Sequence, residues 1–267
     1  MNPSIHELHY SNTNTFLIEG TEGNLLFDTG WAGTFPDFCR VCSAIGIPVQ
    51  KIRYLLISHF HPDHCGIAQE IANQGAEILM PEVQKSFIHS ADAMLEKEPS
   101  LRFVPIVDEK IKCFPIKEGR KILKEIGIEG MIMHTPGHSD DSISLCLDNG
   151  ALFVGDLNPL YELELHKGTK IGESWKKLLQ RNPCTVYYGH ARKTDIQHKI
   201  PEAKEPGELF SMVSSIMRLT DKGFDKEKIR KKTGAEEEFI EDVMRMYLTH
   251  RDTGVQGILD RIEIKGR

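Results

Sequence analysis

The feature that most limits what this 267-residue chain can become is the run His59-Phe60-His61-Pro62-Asp63-His64. Three imidazoles and a carboxylate fall within six positions, directly after the apolar segment Ile52-Arg53-Tyr54-Leu55-Leu56-Ile57. A short run of β-branched and aliphatic residues reads as a buried strand, so the cluster begins where a strand ends. Residues two apart in an extended segment project to the same side, which brings His59 and His61 toward one point. Pro62 suits the first turn of a helix that runs through Ile71 and closes at Gly75. Asp63 and His64 at its start would face the same pocket from a second direction. Packed this tightly, the group would be uncompensated without a cation, and imidazole with carboxylate is a donor set that zinc and related ions favour. Two ligand pairs aimed from two elements imply two metals.

The pattern recurs further along the chain. Residues 13–19 and 24–27 read as strands joined by a turn at Gly20 to Gly23, and the second runs into Asp28-Thr29-Gly30. Asp28 reads either as a turn aspartate or as a carboxylate that holds a metal-bound histidine by its free ring nitrogen. Residues 35–46 read as a helix, 76–80 as a strand and 81–90 as a helix, a βαβ rhythm. Residues 91–117 read as a loop crossing a pocket mouth, followed by one or two strands, with His89 before them as a surface histidine. Residues 131–135 form a strand ending in Pro136-Gly137-His138, and 143–147 pairs with 151–154 through Asp148-Asn149-Gly150. That second strand stops at Gly155-Asp156, and residues 185–188 stop at Gly189-His190. Three strands thus end in a glycine-linked candidate ligand, where glycine permits a tight turn or a close approach.

Taken in order, the Asp28-Thr29-Gly30 turn, His59-x-His61-x-Asp63-His64, TPGHS with His138, GD with Asp156 and GH with His190 resemble the metallo-β-lactamase superfamily of hydrolases. The resemblance implies an α/β fold, a four-layer αβ/βα sandwich with two mixed sheets back to back. It implies that His59, His61 and His138 hold one divalent ion, that Asp63, His64 and His190 hold the other, and that Asp156 bridges them. A metal-bound hydroxide would then attack the substrate. Zinc is the leading metal, and the same ligands accept iron or manganese. Asp63 gains a second task, orienting the nucleophile or passing its proton to the leaving group. The presence of Asp156 and the lack of a leader depart from members that open β-lactam antibiotics. They point to the branch of glyoxalase II-type thioesterases, lactonases and phosphodiesterases.

The expected substrate is therefore a small-molecule ester, thioester or lactone. The alternatives are a metal-dependent phosphodiesterase or nuclease, a one-iron oxygenase using a subset of the histidines, and a non-catalytic protein that senses a metal or ligand. Tyr161, shortly after Asp156, reads either as a donor to a developing oxyanion or as a packed aromatic. His166, Lys167, Lys170, Arg192 and Lys193 read as substrate contacts or as solvated loop side chains.

A net charge of −6 gives no general attraction to nucleic acid or to an anionic membrane surface. No apolar run reaches the length of a membrane span, and the opening MNPSIHELHYSNTNTF has neither a basic nor an apolar leader segment. The expectation is a cytoplasmic protein. Six scattered cysteines fit a reducing compartment, and Cys39 with Cys42 on a helix reads as packed thiols before it reads as a metal or redox pair. Two domains are expected, a metal-binding one over 1–201 and a helical one over 202–267. In the latter, residues 209–219, 226–232, 235–249 and 253–262 read as helices, and Phe239, Ile240, Val243, Met246 and Tyr247 give one an apolar face. Residues 218–232 carry seven basic and three acidic side chains, which raises a helix-turn-helix or RNA contact. Glu236, Glu237, Glu238, Glu241 and Asp242 follow at once and would oppose a phosphate backbone. The expectation is a cap over the pocket mouth or a homodimer contact.

Overall fold

The computed structural model of the chain describes residues 3–196 and 208–249, together with 255 and 258. Its internal contacts divide the chain into two compact units, 1–198 and 199–267. In the first unit, β1 (Ile5–Leu8), β2 (Thr15–Gly20), β3 (Gly23–Phe27), β4 (Ile52–Leu56), β5 (Glu77–Pro81) and β6 (Ile111–Phe114) form one sheet in sequence order. A second sheet holds β7 (Gly130–His134), β8 (Ile143–Leu147), β9 (Ala151–Phe153), β10 (Thr185–Tyr187) and β11 (Thr194–Asp195), ordered β11-β10-β9-β8-β7. β3, β4, β5 and β6 run parallel, as do β9 and β10, while the flanking pairs are antiparallel.

Both sheets bury both faces, which is why their strands read as continuous apolar runs. In β4, Tyr54 and Leu56 join Phe16, Phe27, Leu145 and Phe153 in the core between the sheets. Leu55 and Ile57 instead join Phe38, Cys42, Ala68 and Ile71, the helical layer outside the first sheet. Ile52 shares that outer core because the register against β3 skips Arg53, an exposed extra residue that lets a charge sit inside a buried strand. On the far side, Leu152, Val154 and Val186 pack against Trp175 and Leu178 of the helix Lys170–Leu179. The result is a four-layer αβ/βα sandwich.

Trp175 is fully buried and donates its indole N–H to the Asn158 carbonyl at 2.7 Å, tying the outer helix to the segment after β9. Trp175→Ala is expected to cost about 3–5 kcal/mol, read as a lower urea midpoint for the sandwich unit.

Two helices expected from the sequence take other forms. The one after Pro62 is divided into Pro62–Cys65 and Ala68–Asn73 at Ile67, whose φ −115° and ψ 16° leave the helical region. Gly66 before it keeps helical angles and packs so close to Ala32 that a Cβ there would sit 2.2 Å from the Ala32 nitrogen. Residues 81–90 keep only the 3-10 turn Glu82–Gln84 before further turns, and the buried carboxamide of Gln84 is used on the neighbouring strand end. β1 is not marked in the sequence, since Ile5-His6-Glu7-Leu8 is half polar and only its last residue is fully buried, so it lacks the apolar run that marks the inner strands.

The second unit contains the helices Glu208–Asp221, Lys226–Thr233 and Glu237–Thr249, packed around Val213, Ile216, Ile229, Ile240 and Val243. Asp225 caps the middle helix by accepting from the Lys228 N–H at 2.9 Å, and Gly234, at φ 70°, ends it in the left-handed region. The helix expected over 253–262 lies outside the described residues, apart from 255 and 258. Among the described residues no helix is long and apolar enough to cross a membrane.

Candidate metal centre

Each expected ligand follows the C-terminal end of a strand. β4 leads to His59 and His61 and on to the short helix bearing Asp63 and His64; β7 leads to His138, β9 to Asp156 and β10 to His190. The structure gathers all seven side chains into three overlapping groups: His59, His61 and His138; His59, His64 and Asp156; Asp63, His64 and His190. Asp156 occupies the middle. Its Oδ2 lies 3.9 Å from His59 Nε2, 3.6 Å from His138 Nε2 and 3.4 Å from His190 Nε2, while Oδ1 lies 3.2 Å from His64 Nε2.

The far side of each ring fixes which nitrogen faces inward. His64 Nδ1 is 3.0 Å from Asp28 Oδ2, and His190 Nδ1 is 3.0 Å from the Asn12 carbonyl oxygen. A carboxylate and a carbonyl can only accept, so both protons belong on Nδ1 and both Nε2 atoms present lone pairs in the neutral rings. Those two Nε2 atoms nonetheless stand 3.3 Å apart, and His138 Nε2 stands 3.1 Å from His61 Nδ1. Two ligands bound tetrahedrally at about 2.1 Å would be separated by roughly 3.4 Å. His59 Nε2 is buried with no hydrogen-bond partner, although its Nδ1 meets Ser58 Oγ at 3.0 Å. Converging lone pairs and an orphaned buried nitrogen are the arrangement a cation resolves, so these residues fit a metal.

The electrostatics leave His59 free to ligate and set a proton in competition with the metal at His64. Burial pushes the His59 ring well down, with His64 adding to the effect, so it stays neutral and able to ligate. Burial also opposes charge on His64, but the Asp28 and Asp156 carboxylates outweigh it and the net shift is upward. Asp156 is buried too, yet its contact with His64 and the charges of His190 and His59 hold it well below the usual carboxylate range.

Asp28 takes the second of its two sequence readings. It is fully buried at φ 62°, accepts from the Ser58 N–H at 2.6 Å through Oδ1, and meets His64 through Oδ2. Other supports were not visible in the sequence. Asp141, buried at the start of β8, accepts from the Phe60 N–H at 2.8 Å, between His59 and His61. Gln84 directs its Nε2 at the carbonyls of Ile57, Ser58 and Asp141, at 3.0, 3.2 and 3.2 Å. Together they tie the histidine-bearing strand end to the second sheet. Nothing local marks them, because their partners are backbone atoms distant in sequence.

Gln84→Ala is expected to cost about 1–3 kcal/mol by leaving those carbonyls unpaired, and to weaken metal affinity about 10–100-fold through the loosened His59 and His61. Competition with a fluorescent chelator reads the second effect. Unchanged metal affinity in a folded Gln84→Ala protein would remove Gln84 from the site's framework.

Gly189 stands where β10 gives way to His190. A Cβ on it would lie 2.5 Å from Asp156 Oδ1 and 2.8 Å from His64 Cε1, so the close approach expected of glycine occurs here. At Gly155, φ 55°, a Cβ would lie 2.4 Å from Ser58 Oγ. Tyr161 lies in the 3-10 segment Leu160–His166, and its side chain is outside what is described. His166 sits 3.5 Å from Glu162 Oε2, Lys170 pairs with Asp140 at 2.6 Å, and His89 pairs at the surface with Asp92 at 2.8 Å. All six cysteines are free. Burial pushes the Cys42 thiol up to about 12 and raises Cys39 as well, which suits packed thiols.

Two mixed sheets back to back, flanked by helices, with histidines and aspartates gathered at strand ends of both sheets, define an αβ/βα sandwich built to carry a metal centre. Residues 10–190 match the metallo-beta-lactamase superfamily, and the chain belongs to it. It is 26% identical over 196 residues to the Beta-lactamase-like protein 2 homolog of Drosophila melanogaster, covering 71% of this chain and 61% of that protein. It is 24% identical over 178 residues to the atrochrysone carboxyl ACP thioesterase of Aspergillus terreus, covering 66% of this chain and 48% of that protein. The chain thus spans about half to three fifths of the length of these curated relatives. Among solved structures, TTHA1623 in a di-iron-bound form superposes with a TM-score of 0.54 at 22% identity, over 72% of this chain and 94% of that one.

Proposed function

We propose that the protein is a hydrolase that uses two divalent metal ions to cleave a small carboxylic ester, thioester or lactone. The observation that carries this reading is the placement of Asp156 Oδ2 among His59, His138 and His190, at 3.9, 3.6 and 3.4 Å, where one carboxylate can serve two ions. His59 and His138 through Nε2 and His61 through Nδ1 would hold one ion. Asp63, His64 and His190 would hold the other. When bound, such ions lower the pKa of coordinated water and polarise the carbonyl under attack.

The chain's own groups do the rest. Asp28 keeps the His64 proton on Nδ1, and the Asn12 carbonyl does the same for His190, so each ring turns Nε2 inward. Asp63 Oδ2 is 3.0 Å from His190 Nε2 and retains some exposure, so it can take a proton from the attacking water and return it to the leaving group. Burial raises the Asp63 carboxyl, but the bond with His190 and the charge of His64 prevail and hold it ionised.

The ester-type substrate is supported by the thioesterase among the relatives. Zinc is the expected metal, and iron or manganese suits the same ligands. A panel of thioesters, lactones and aryl esters set against bis-nitrophenyl phosphate tests the substrate class, with metal counted per chain. Turnover of the phosphodiester above every carboxylic substrate would replace this reading with a phosphodiesterase.

A further inference from the structure

The helical unit contains an open pocket of about 710 Å³, and all of its described lining residues belong to that unit. Ser211, Ser215, Arg218 and Lys222 stand at intervals of four, three and four on and just after the helix Glu208–Asp221, so they form one stripe facing the cavity. Lys232 and Thr233 face them from the end of the helix Lys226–Thr233. Met212, Leu219 and Phe224 supply apolar surface.

Among the described residues, three cations share one concave space without a carboxylate in its lining. Four of the neighbouring acids have partners outside the pocket lining. Asp221 accepts from the Tyr247 hydroxyl at 2.8 Å, Asp225 pairs with Lys228 at 3.2 Å, Glu227 with Lys231 at 2.8 Å, and Glu241 with Lys226. Among the described residues no carboxylate forms an ion pair with Arg218, Lys222 or Lys232; Lys232 lies instead over the Phe224 ring, 5.4 Å from its centre. Like charges held together are relieved by an anion. Charged donors, hydroxyls and a ring face around a cavity of this size match a small ligand that is anionic at one end and apolar at the other.

We propose that this cavity binds a small phosphate ester with a flat or aliphatic body, the phosphate held by Arg218, Lys222 and Lys232 and the body set against Phe224, Leu219 and Met212. The inference is independent of the reaction at the metal centre. A nucleic-acid strand is disfavoured because Glu236, Glu237 and Glu241 follow as exposed acids and because the basic groups line a hollow.

The test is calorimetric titration of the full metal-loaded chain with AMP, adenosine and inorganic phosphate, repeated on the double variant Arg218→Glu, Lys222→Glu. Both positions are exposed, so folding should persist, and Lys228→Glu serves as a charge control outside the cavity. AMP should bind at least about tenfold more tightly than adenosine or phosphate alone, and the double variant should lose about tenfold or more of that affinity while Lys228→Glu does not. Should the double variant misfold, Lys232→Glu must show the same loss. AMP affinity equal in wild type and variant would place all binding elsewhere, the metal centre included, and overturn the proposal. So would absence of AMP binding, or tighter binding of a short single-stranded oligonucleotide with the same sensitivity to the double variant.

Discussion

Asp156→Ala will leave the sandwich folded, reduce bound metal from about two ions per chain to one or none, and lower kcat/KM on an ester or thioester by about 10³-fold or more, a loss of about 4 kcal/mol. The carboxylate sits within 3.9 Å of four inward-facing nitrogens, of His59, His64, His138 and His190, that belong to both proposed ion sites, so its removal strips one ligand from each. It also removes the negative charge that offsets two dications in a buried space. His61→Ala, which takes a ligand from one group only, should cost less metal and leave one ion in place. Elemental analysis alongside kinetics separates the two variants. An Asp156→Ala protein that keeps two ions and near-normal turnover would show that the carboxylate bridges nothing.

Removing metal with a chelator should abolish turnover, and adding zinc back should restore it. The same step should destabilise the sandwich unit. An ion present at about a thousand times its dissociation constant adds about 4 kcal/mol to the folded state, which for a unit of this size is a thermal shift of roughly 8–16 °C. The direction with pH follows from His64, whose ring is pulled down by burial but more strongly up by Asp28 and Asp156. A proton on that ring competes with the ion, so metal loading weakens as pH falls and tightens as pH rises. Scanning calorimetry of loaded and stripped protein at two pH values measures both effects. Full hydrolysis by stripped protein would end the metal reading.

The strands were legible because they bury both faces and stop at glycines or at ligand clusters, whereas their arrangement as a four-layer sandwich was an expectation carried by the family resemblance of the ordered motifs. The candidate ligands were legible for the same reason: His138, Asp156 and His190 each mark the place where an apolar run ends. The supports were not. Gln84 was read as one residue of a helix because residues 81–90 have helical composition, while in the structure its carboxamide reaches the carbonyls of Ile57, Ser58 and Asp141 and the chain there is a series of turns. Asp141 carries no mark in the sequence, because its role depends on an amide 81 residues away. The expected helix breaks at Ile67, a fully buried residue whose non-helical angles no local propensity encodes.

The cluster straddles the seam between the sheets. His59, His61, Asp63 and His64 hang from the sheet built by residues 5–114, and His138, Asp156 and His190 from the one built by residues 130–195. During synthesis the amino-terminal sheet emerges first carrying only four of the seven donors, so a chain still on the ribosome offers an incoming ion an unfinished grip. On the two-ion reading, full-strength capture would wait for the last strands to dock and bound metal would pin the two sheets together, so that amide exchange along this seam should slow more on metal uptake than exchange in the outer helices.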